Sequence, residues 1–102
     1  MRYFAVLYPA LEGGYAVEFP DFPEALTQGD TLEEAIDMAD DALCITIEEY
    51  TKAKRDLPEP STLDMVKTLA AKEMLTAKGI DHNRVPLFQL IQAHQVASAS
   101  IS

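Results

Sequence analysis

The first hydrophobic segment of the chain is apolar on both sides of a predicted strand. Over residues 2–8 the side chains alternate between two sets, Tyr3, Ala5 and Leu7 on one side, and Phe4, Val6 and Tyr8 on the other. Successive side chains of a strand point to opposite faces, so a segment that is apolar on both faces is typical of a central strand covered on each side. Residues 2–8 therefore predict a strand in the interior of a sheet.

A hairpin is predicted after this strand. Glu12-Gly13-Gly14 is a turn signal, and residues 15–19 follow with Tyr15, Val17 and Phe19 on one face. A glycine-rich turn between two alternating hydrophobic segments indicates an antiparallel pair.

A proline-rich corner separates the hairpin from a third predicted strand. In Phe19-Pro20-Asp21-Phe22-Pro23 neither proline can donate a backbone hydrogen bond, which predicts a break in the strand ladder. A short strand from about Ala25 to Gln28 then fits before Gly29-Asp30. Three short antiparallel strands are the expected result.

The longest predicted element is an amphipathic helix that begins at Thr31. Thr31 and Glu34 form a capping box, in which each side chain accepts a hydrogen bond from an otherwise unpaired backbone amide. Apolar residues then recur at helical spacing, at Leu32, Ala35, Ile36, Ala39, Leu43, Ile47 and Tyr50. The helix is expected to run for about 24 residues, or roughly 36 Å. Lys52, Lys54 and Arg55 fall in its last turn, and Cys44 is predicted to be a small buried side chain within it.

Two further elements are predicted after Leu57-Pro58-Glu59-Pro60, where the prolines end the helix. Ser61 and Thr62 are alternative N-caps for a helix that reaches about Lys78 and stops at Gly79. Residues 86–95 fit either a helix opened by Pro86 or a strand that returns to the sheet. The expected fold is α+β, a three-stranded antiparallel meander plus one long helix, with a short C-terminal helix and, in the second alternative, a fourth strand. One domain is expected over residues 1–96, with a frayed tail at 97–102.

The charge of the chain is distributed unevenly. The net charge is −9, and residues 1–50 hold twelve acidic residues and a single basic one, Arg2. Nucleic-acid affinity comes largely from Lys and Arg that neutralise phosphates, so direct nucleic-acid binding is not expected of this half. An acidic surface instead favours a basic partner and accelerates the encounter with it.

The cellular compartment is predicted from two features that the sequence lacks, a possible internal disulfide and a membrane-spanning segment. With Cys44 as its one cysteine the chain cannot form an internal disulfide, and it contains no apolar run of about 20 residues that would cross a membrane. A cytoplasmic protein without a membrane span is expected.

Three motifs, in order, resemble those of a known family. They are the hairpin that contains Gly13-Gly14-Tyr15 and leads into Phe19-Pro20-Asp21-Phe22-Pro23, the segment from Thr27 to Ala35 with sequence TQGDTLEEA, and Leu57-Pro58-Glu59-Pro60-Ser61 after the long helix. Over about residues 2–61 this pattern resembles the HicB-like antitoxins. The resemblance implies a partial RNase H-like fold. It also implies binding to a small basic HicA-type toxin that cleaves messenger RNA, with the antitoxin covering the toxin's RNA-binding face.

The C-terminal third departs from the family pattern. Many members end in a helix-turn-helix or ribbon-helix-helix module that binds their own promoter, and residues 62–102 leave little room for one. A recognition helix over residues 86–96 would contain no Lys or Arg, with only Arg84 before it. Promoter binding by this chain alone is therefore not expected, and Leu87 to Ile91 is the preferred fourth strand.

Catalysis is not expected either. RNase H-like nucleases have a metal-binding acid in the middle of the first strand, whereas Tyr3 to Tyr8 contains no Asp or Glu. The acidic residues of the long helix are spread over several turns, and His82 and His94 lack a paired nucleophile or a metal-ligand spacing. We expect no enzyme activity, no metal and no cofactor.

The residues predicted to bind the toxin form two sets. The first lies at the hairpin corner and consists of Tyr15, Phe19, Asp21 and Phe22, with Gln28 and Asp30 beside it. Phe19 and Phe22 have an equally weighted alternative role, in which they only pack the corner against the helix. The second set, on the exposed helix face, is Glu33, Asp37 and Asp41.

Two further expectations concern other partners. A truncated sheet leaves an open edge strand, and open edges pair with a second copy, so a homodimer is predicted. The alternative function is a non-catalytic binding module with another client, such as RNA stacked on exposed aromatic residues, or a transcriptional autoregulator.

Overall fold

Strand β1 (Arg2–Pro9) lies inside a four-stranded antiparallel sheet. The computed structural model describes residues 1–93. The elements that follow β1 along the chain are β2 (Tyr15–Phe19), β3 (Phe22–Gly29), α1 (Leu32–Lys52), α2 (Leu63–Thr76) and β4 (Leu87–Gln92). The strand order across the sheet is β3-β2-β1-β4, so β1 has a partner on each side. The α+β class, the meander and the interior position of β1 are confirmed.

The two helices pack on opposite faces of this sheet. β1 contributes Tyr3, Ala5 and Leu7 to the core beneath α1, and Val6 and Tyr8 to a second core beneath α2. Neighbouring residues of a strand point to opposite faces, so one strand can supply both cores. This packing is the physical reason that residues 2–8 are apolar throughout.

Strand β3 is longer than the sequence predicted. It begins at Phe22 rather than near Ala25, and it contains Pro23. The register shifts between Glu18 and Phe19, where Phe19 pairs with Phe22 across a tight turn. β3 is an edge strand, and an edge strand tolerates a proline whose nitrogen lies on the side without a neighbouring strand. The expected break in the ladder is therefore confined to Pro20 and Asp21.

Helix α1 begins where the capping box predicts and ends earlier than expected. Thr31 Oγ1 accepts a hydrogen bond from Glu34 N (3.1 Å), whereas Glu34 Oε1 accepts one from Asp30 N (2.6 Å) rather than from Thr31. The helix stops at Lys52, because Lys54 has a φ of 56°, in the left-handed region that ends a helix. Lys54 and Arg55 thus lie beyond the last turn.

The ambiguous C-terminal segment is a strand. Residues 87–92 pair antiparallel with β1, from Leu87 opposite Leu7 to Gln92 opposite Arg2, so the helix that Pro86 was considered to open is wrong. Helix α2 is capped by Thr62 and ends at Thr76, before the predicted Lys78. His94 and the predicted tail, 97–102, lie outside the described residues.

Candidate partner-binding surface

The two corner phenylalanines lie inside the protein. Phe19 and Phe22 are fully buried. The Phe22 ring packs edge-on against Tyr3, with centroids 4.7 Å apart, and against Tyr50, at 5.3 Å. Such pairs stabilise a core beyond the area they bury. The packing role left open for these residues is the one the structure has, and neither these rings nor Tyr3 offers a surface for stacking RNA.

Asp21 ties the hairpin corner to the segment after α1. Its carboxylate accepts hydrogen bonds from Ser61 N (2.9 Å) and Ser61 Oγ (2.5 Å). Tyr3 makes a parallel connection, since its hydroxyl donates to Pro58 O (2.8 Å). Burial raises the pKa of Tyr3, and the negative charges of Asp21 and Glu59 raise that pKa further. Two of the family-like motifs, at residues 19–23 and 57–61, are therefore joined to each other in space.

Three of the predicted binding residues meet at a small pocket. Tyr15, Gln28 and Asp30 line a cavity of about 210 Å³ at the end of the β2–β3 ladder, together with Glu12. Gln28, Asp30 and Glu12 are exposed, and Tyr15 is half-buried. The Arg84 guanidinium lies over the Tyr15 ring, 5.6 Å from its centroid, and its Nη2 donates to the Tyr15 hydroxyl (3.1 Å). The pocket thus offers two carboxylates, an amide and a phenol to a partner side chain.

An acidic row continues from this pocket along α1. Glu33, Asp37 and Asp41 are all exposed. They follow one another at intervals of four residues, which places them on one side of a helix. Asp30 lies immediately before α1, so the row and the pocket are neighbours. We call this surface, formed by Asp30, Glu33, Asp37 and Asp41, the acidic row.

Sequence reasoning missed a groove on the opposite side of the sheet, between β3 and α2. This β3–α2 groove has a volume of about 480 Å³ and is lined by Glu18, Phe19, Pro20, Pro23, Leu26, Leu69, Lys72 and Glu73. Its two walls are distant in sequence and meet only because α2 folds back over the sheet. The one available signal was Glu18, an acidic residue inside a strand that is otherwise apolar.

Glu18 lies half-buried in the β3–α2 groove. Its Oε1 accepts a hydrogen bond from the Tyr8 hydroxyl (2.9 Å). Burial raises the pKa of Glu18, the nearby charge of Glu73 raises it further, and the hydrogen bond from Tyr8 opposes this shift. Burial also raises the pKa of Tyr8. A cationic group in the groove would stabilise the Glu18 carboxylate, because opposite charges favour the ionised form.

His82 and Cys44, the remaining candidates within residues 1–93, take no part in a metal site. His82 is exposed in the segment between α2 and β4, and Cys44 is buried in α1. Over residues 1–93, no three Asp, Glu, His or Cys side chains come together in a way that would hold a metal ion. Neither helix of this part of the chain is long and apolar enough to cross a membrane.

The fold is that of antitoxin domains. A chain from a structure described as a toxin–antitoxin complex from Streptococcus pneumoniae superposes with a TM-score of 0.72 at 23% identity, over 89% of this chain and 67% of that one. A chain from a HicA3 and HicB3 toxin–antitoxin complex superposes with a TM-score of 0.65 at 18% identity, over 92% of this chain and 99% of the other. At this level of identity the likeness concerns the fold.

The sequence identifies the family. The family model of the HicB_like antitoxin of bacterial toxin–antitoxin systems matches residues 2–77. Antitoxin HicB 1 of Photorhabdus laumondii is 44% identical over 86 residues, which are 79% of this chain and 56% of that protein. The chain thus belongs to the HicB-like antitoxin family, and it spans just over half the length of this relative.

Proposed function

We propose that this chain neutralises a small basic HicA-type ribonuclease by covering its RNA-binding face. Membership of the HicB-like family carries the proposal, and the charge distribution supports it. A protein that binds messenger RNA must present cationic groups to phosphates, and the acidic row presents carboxylates to the same groups. The chain acts by occupying the toxin, in the cytoplasm where the toxin meets its substrate, and performs no chemistry of its own.

The acidic row and the pocket have different parts in this proposal. Exposed ion pairs contribute about 0–1 kcal/mol each, so the row accelerates encounter and orients the toxin more than it holds it. The pocket formed by Tyr15, Gln28 and Asp30 can enclose one Arg or Lys side chain of the toxin and satisfy its donors. Since Phe19 and Phe22 are buried, the apolar anchor of a tight complex must lie elsewhere on the surface.

The direct test is co-expression of this chain with the HicA-type protein encoded beside it. A stable complex in which cleavage of a reporter messenger RNA is suppressed is the expected result. A toxin that stays fully active in the presence of excess folded chain would refute the proposed function.

Removing three charges from the acidic row should weaken toxin binding. We expect Glu33→Gln, Asp37→Asn and Asp41→Asn together to raise the Kd about 10- to 100-fold at low salt, because up to three ion pairs are lost. The difference should shrink at high salt, where exposed charges are screened. Isothermal titration calorimetry at two salt concentrations measures the Kd of the unmodified chain and of the variant.

A matched control distinguishes a specific role of the acidic row from a general effect of net charge. Asp56→Asn with Glu59→Gln removes two charges at exposed positions in the other half of the chain, and is compared with Glu33→Gln and Asp37→Asn, which remove two charges from the acidic row. This control should bind the toxin within about threefold of the unmodified chain, in line with long-range charge effects alone. Equal losses in the two double variants would mean that the acidic row has no specific role.

We also propose that the chain forms a homodimer through β4. Ala93 N donates to Met1 O, and hydrogen bonding alternates along an antiparallel pair, so the amides of Phe88, Leu90 and Gln92 point away from β1. Strand β4 carries neither proline nor charge, the features that commonly protect an edge. Over residues 1–93, no strand lies beyond it.

Proline at position 90 should dissociate this dimer. Leu90→Pro removes an amide that points away from β1, so the fold keeps its β1–β4 hydrogen bonds while the outer edge loses a donor. We expect the dimer dissociation constant to rise at least about tenfold, whereas Leu90→Ala, which keeps the amide, has a smaller effect. Sedimentation velocity over a concentration series measures both. A monomer at every concentration of the unmodified chain would contradict the proposal.

A further inference from the structure

The β3–α2 groove is bordered by large apolar side chains that are exposed to solvent. Leu26 on β3 is 66% exposed, and Leu69 on α2, across the groove, is 45% exposed. Met65, one turn before Leu69 on α2, is 55% exposed and continues the same surface. Pro20 and Pro23 form the end of the groove at the hairpin corner. An exposed apolar surface that continues from one element to the next marks an interaction site more strongly than scattered apolar residues do.

The polar residues of the groove define the chemistry of its occupant. Glu18 and Glu73 both line the groove, and Lys72 is the one basic residue among the lining residues. One oxygen of Glu18 is held by the Tyr8 hydroxyl. An Arg or Lys side chain would complement the two carboxylates, and its attraction to Glu18 is the stronger of the two because Glu18 is half-buried whereas Glu73 is exposed. The occupant must therefore combine an apolar side chain with a neighbouring cationic one.

The groove and the pocket described above both adjoin strand β3. Leu26 and Gln28 are two residues apart on β3 and so point to the same face of the sheet. Leu26 lines the groove, and Gln28 lines the pocket beside Asp30. One partner can thus cover both sites along β3.

We propose that the β3–α2 groove is where the basic toxin anchors, through a segment that places an apolar side chain between Leu26 and Leu69 and an Arg or Lys beside Glu18 and Glu73. This inference rests on the proposed function and adds the surface on which the toxin is held. Local charge complementarity selects this occupant over a second copy, because the groove presents Glu18 and Glu73 against Lys72 and this chain is itself rich in acidic residues, with 17 Asp and Glu against 8 Lys and Arg. The acidic row attracts and orients the toxin, and burial of the groove's apolar walls holds it.

The test compares two variants of the full chain for binding to the purified toxin. Leu26→Ser with Leu69→Ser removes both apolar walls. Leu75→Ser removes an apolar side chain of the same helix that is 82% exposed and does not line the groove. We expect the double variant to raise the toxin Kd by roughly 50-fold or more and to lose suppression of RNA cleavage at equimolar ratio, with Leu75→Ser within about threefold of the unmodified chain.

A third variant tests the polar part of the groove, and thermal melts establish that each variant is folded. Glu18→Gln keeps the shape of the side chain and a hydrogen-bond acceptor for Tyr8 but removes the charge. It should raise the toxin Kd about fivefold, and the loss should depend on salt.

The outcomes distinguish this inference from the proposed function. If the folded double variant binds and suppresses the toxin as the unmodified chain does, the groove inference is wrong and the proposed function stands. If the double variant changes the dimer equilibrium and leaves the toxin Kd unchanged, the groove holds a second copy and the inference is equally wrong. If the unmodified chain neither binds nor suppresses the toxin, the proposed function fails and the inference fails with it.

Discussion

Phe22→Ala should destabilise the protein by about 3–5 kcal/mol, which is a large part of the roughly 5–15 kcal/mol that holds a domain folded. The ring is fully buried between Tyr3 and Tyr50, and its removal leaves a cavity at the junction of β1, β3 and α1. The melting temperature of a domain of this size should fall by more than about 12 °C. Chemical denaturation followed by circular dichroism measures the free energy of unfolding, and calorimetry measures the melting temperature.

This result bears on function because Phe22 was predicted both as a binding residue and as a packing residue. A packing role predicts lost stability, with the toxin affinity of the remaining folded fraction unchanged. A binding role predicts normal stability together with a weaker affinity of the folded protein for the toxin. Leu26→Ala on the same strand is the matched comparison: Leu26 is largely exposed, so its truncation should change the free energy of unfolding by only about 0.5 kcal/mol. A Phe22→Ala protein of normal stability would show that the packing assignment is mistaken.

Gly29→Ala should destabilise the protein to a similar extent, through overpacking rather than through a cavity. A Cβ at position 29 would lie 2.6 Å from Ala35 Cα and 2.9 Å from the Glu34 carbonyl carbon, and still nearer to Ala35 N. These are backbone atoms of the first turns of α1 and cannot rotate away, so the strand and the helix must separate. Overpacking of this kind costs about 3 kcal/mol or more when backbone has to move. Thermal and chemical denaturation both measure the loss.

Gly29→Ala should also impair toxin binding, since Gly29 lies between Gln28 and Asp30. Displacing α1 from β3 would separate the pocket from the acidic row. Gly13→Ala is the control: Gly13 has a φ of 101°, but a Cβ added there would meet no atom within 4 Å, so this variant should lose only about 1–2 kcal/mol through backbone strain. If Gly29→Ala is no more destabilising than Gly13→Ala, the close approach of β3 and α1 does not constrain the fold.

Local patterns predicted the elements whose partners are close in sequence. The Thr31–Glu34 capping box located the start of α1, and alternation located β1 and β2, because these signals depend only on hydrogen bonds and periodicities within a few residues. The boundary of β3 was missed because a proline is tolerated on an edge strand, and which strand lies at the edge depends on the order of the whole sheet. For residues 87–92 the sequence left strand and helix as alternatives. The partner of this strand, β1, lies at the other end of the chain, so no local pattern decides between them.

The surface proposed to bind the toxin shows the same difference between what local sequence patterns predict and what only the tertiary structure reveals. Of the residues predicted from sequence to bind the toxin, the structure places Tyr15, Gln28 and Asp30 at one pocket. It places Glu33, Asp37 and Asp41 on one exposed side of α1; the contact of all these residues with the toxin stays a prediction. Phe19 and Phe22 were identified with them, yet only the packing of three elements shows that they are buried. The β3–α2 groove could not be predicted, because Leu26 and Leu69 are 43 residues apart and nothing local distinguishes an exposed leucine from a core one.

The amino-acid sequence alone thus determined the family, the α+β class, the long capped helix and the acidic character of the first fifty residues, because composition, periodicity and capping are properties of neighbouring residues. The tertiary structure decided which apolar residues form the core and which remain at the surface. Burial depends on which elements meet across the sheet, and here α1 covers the aromatic corner on one face, whereas α2 leaves Leu26 and Leu69 exposed on the other. Phe19 and Phe22, which were predicted within a binding patch, are therefore part of the core, and the apolar surface available to a partner lies along β3 and α2.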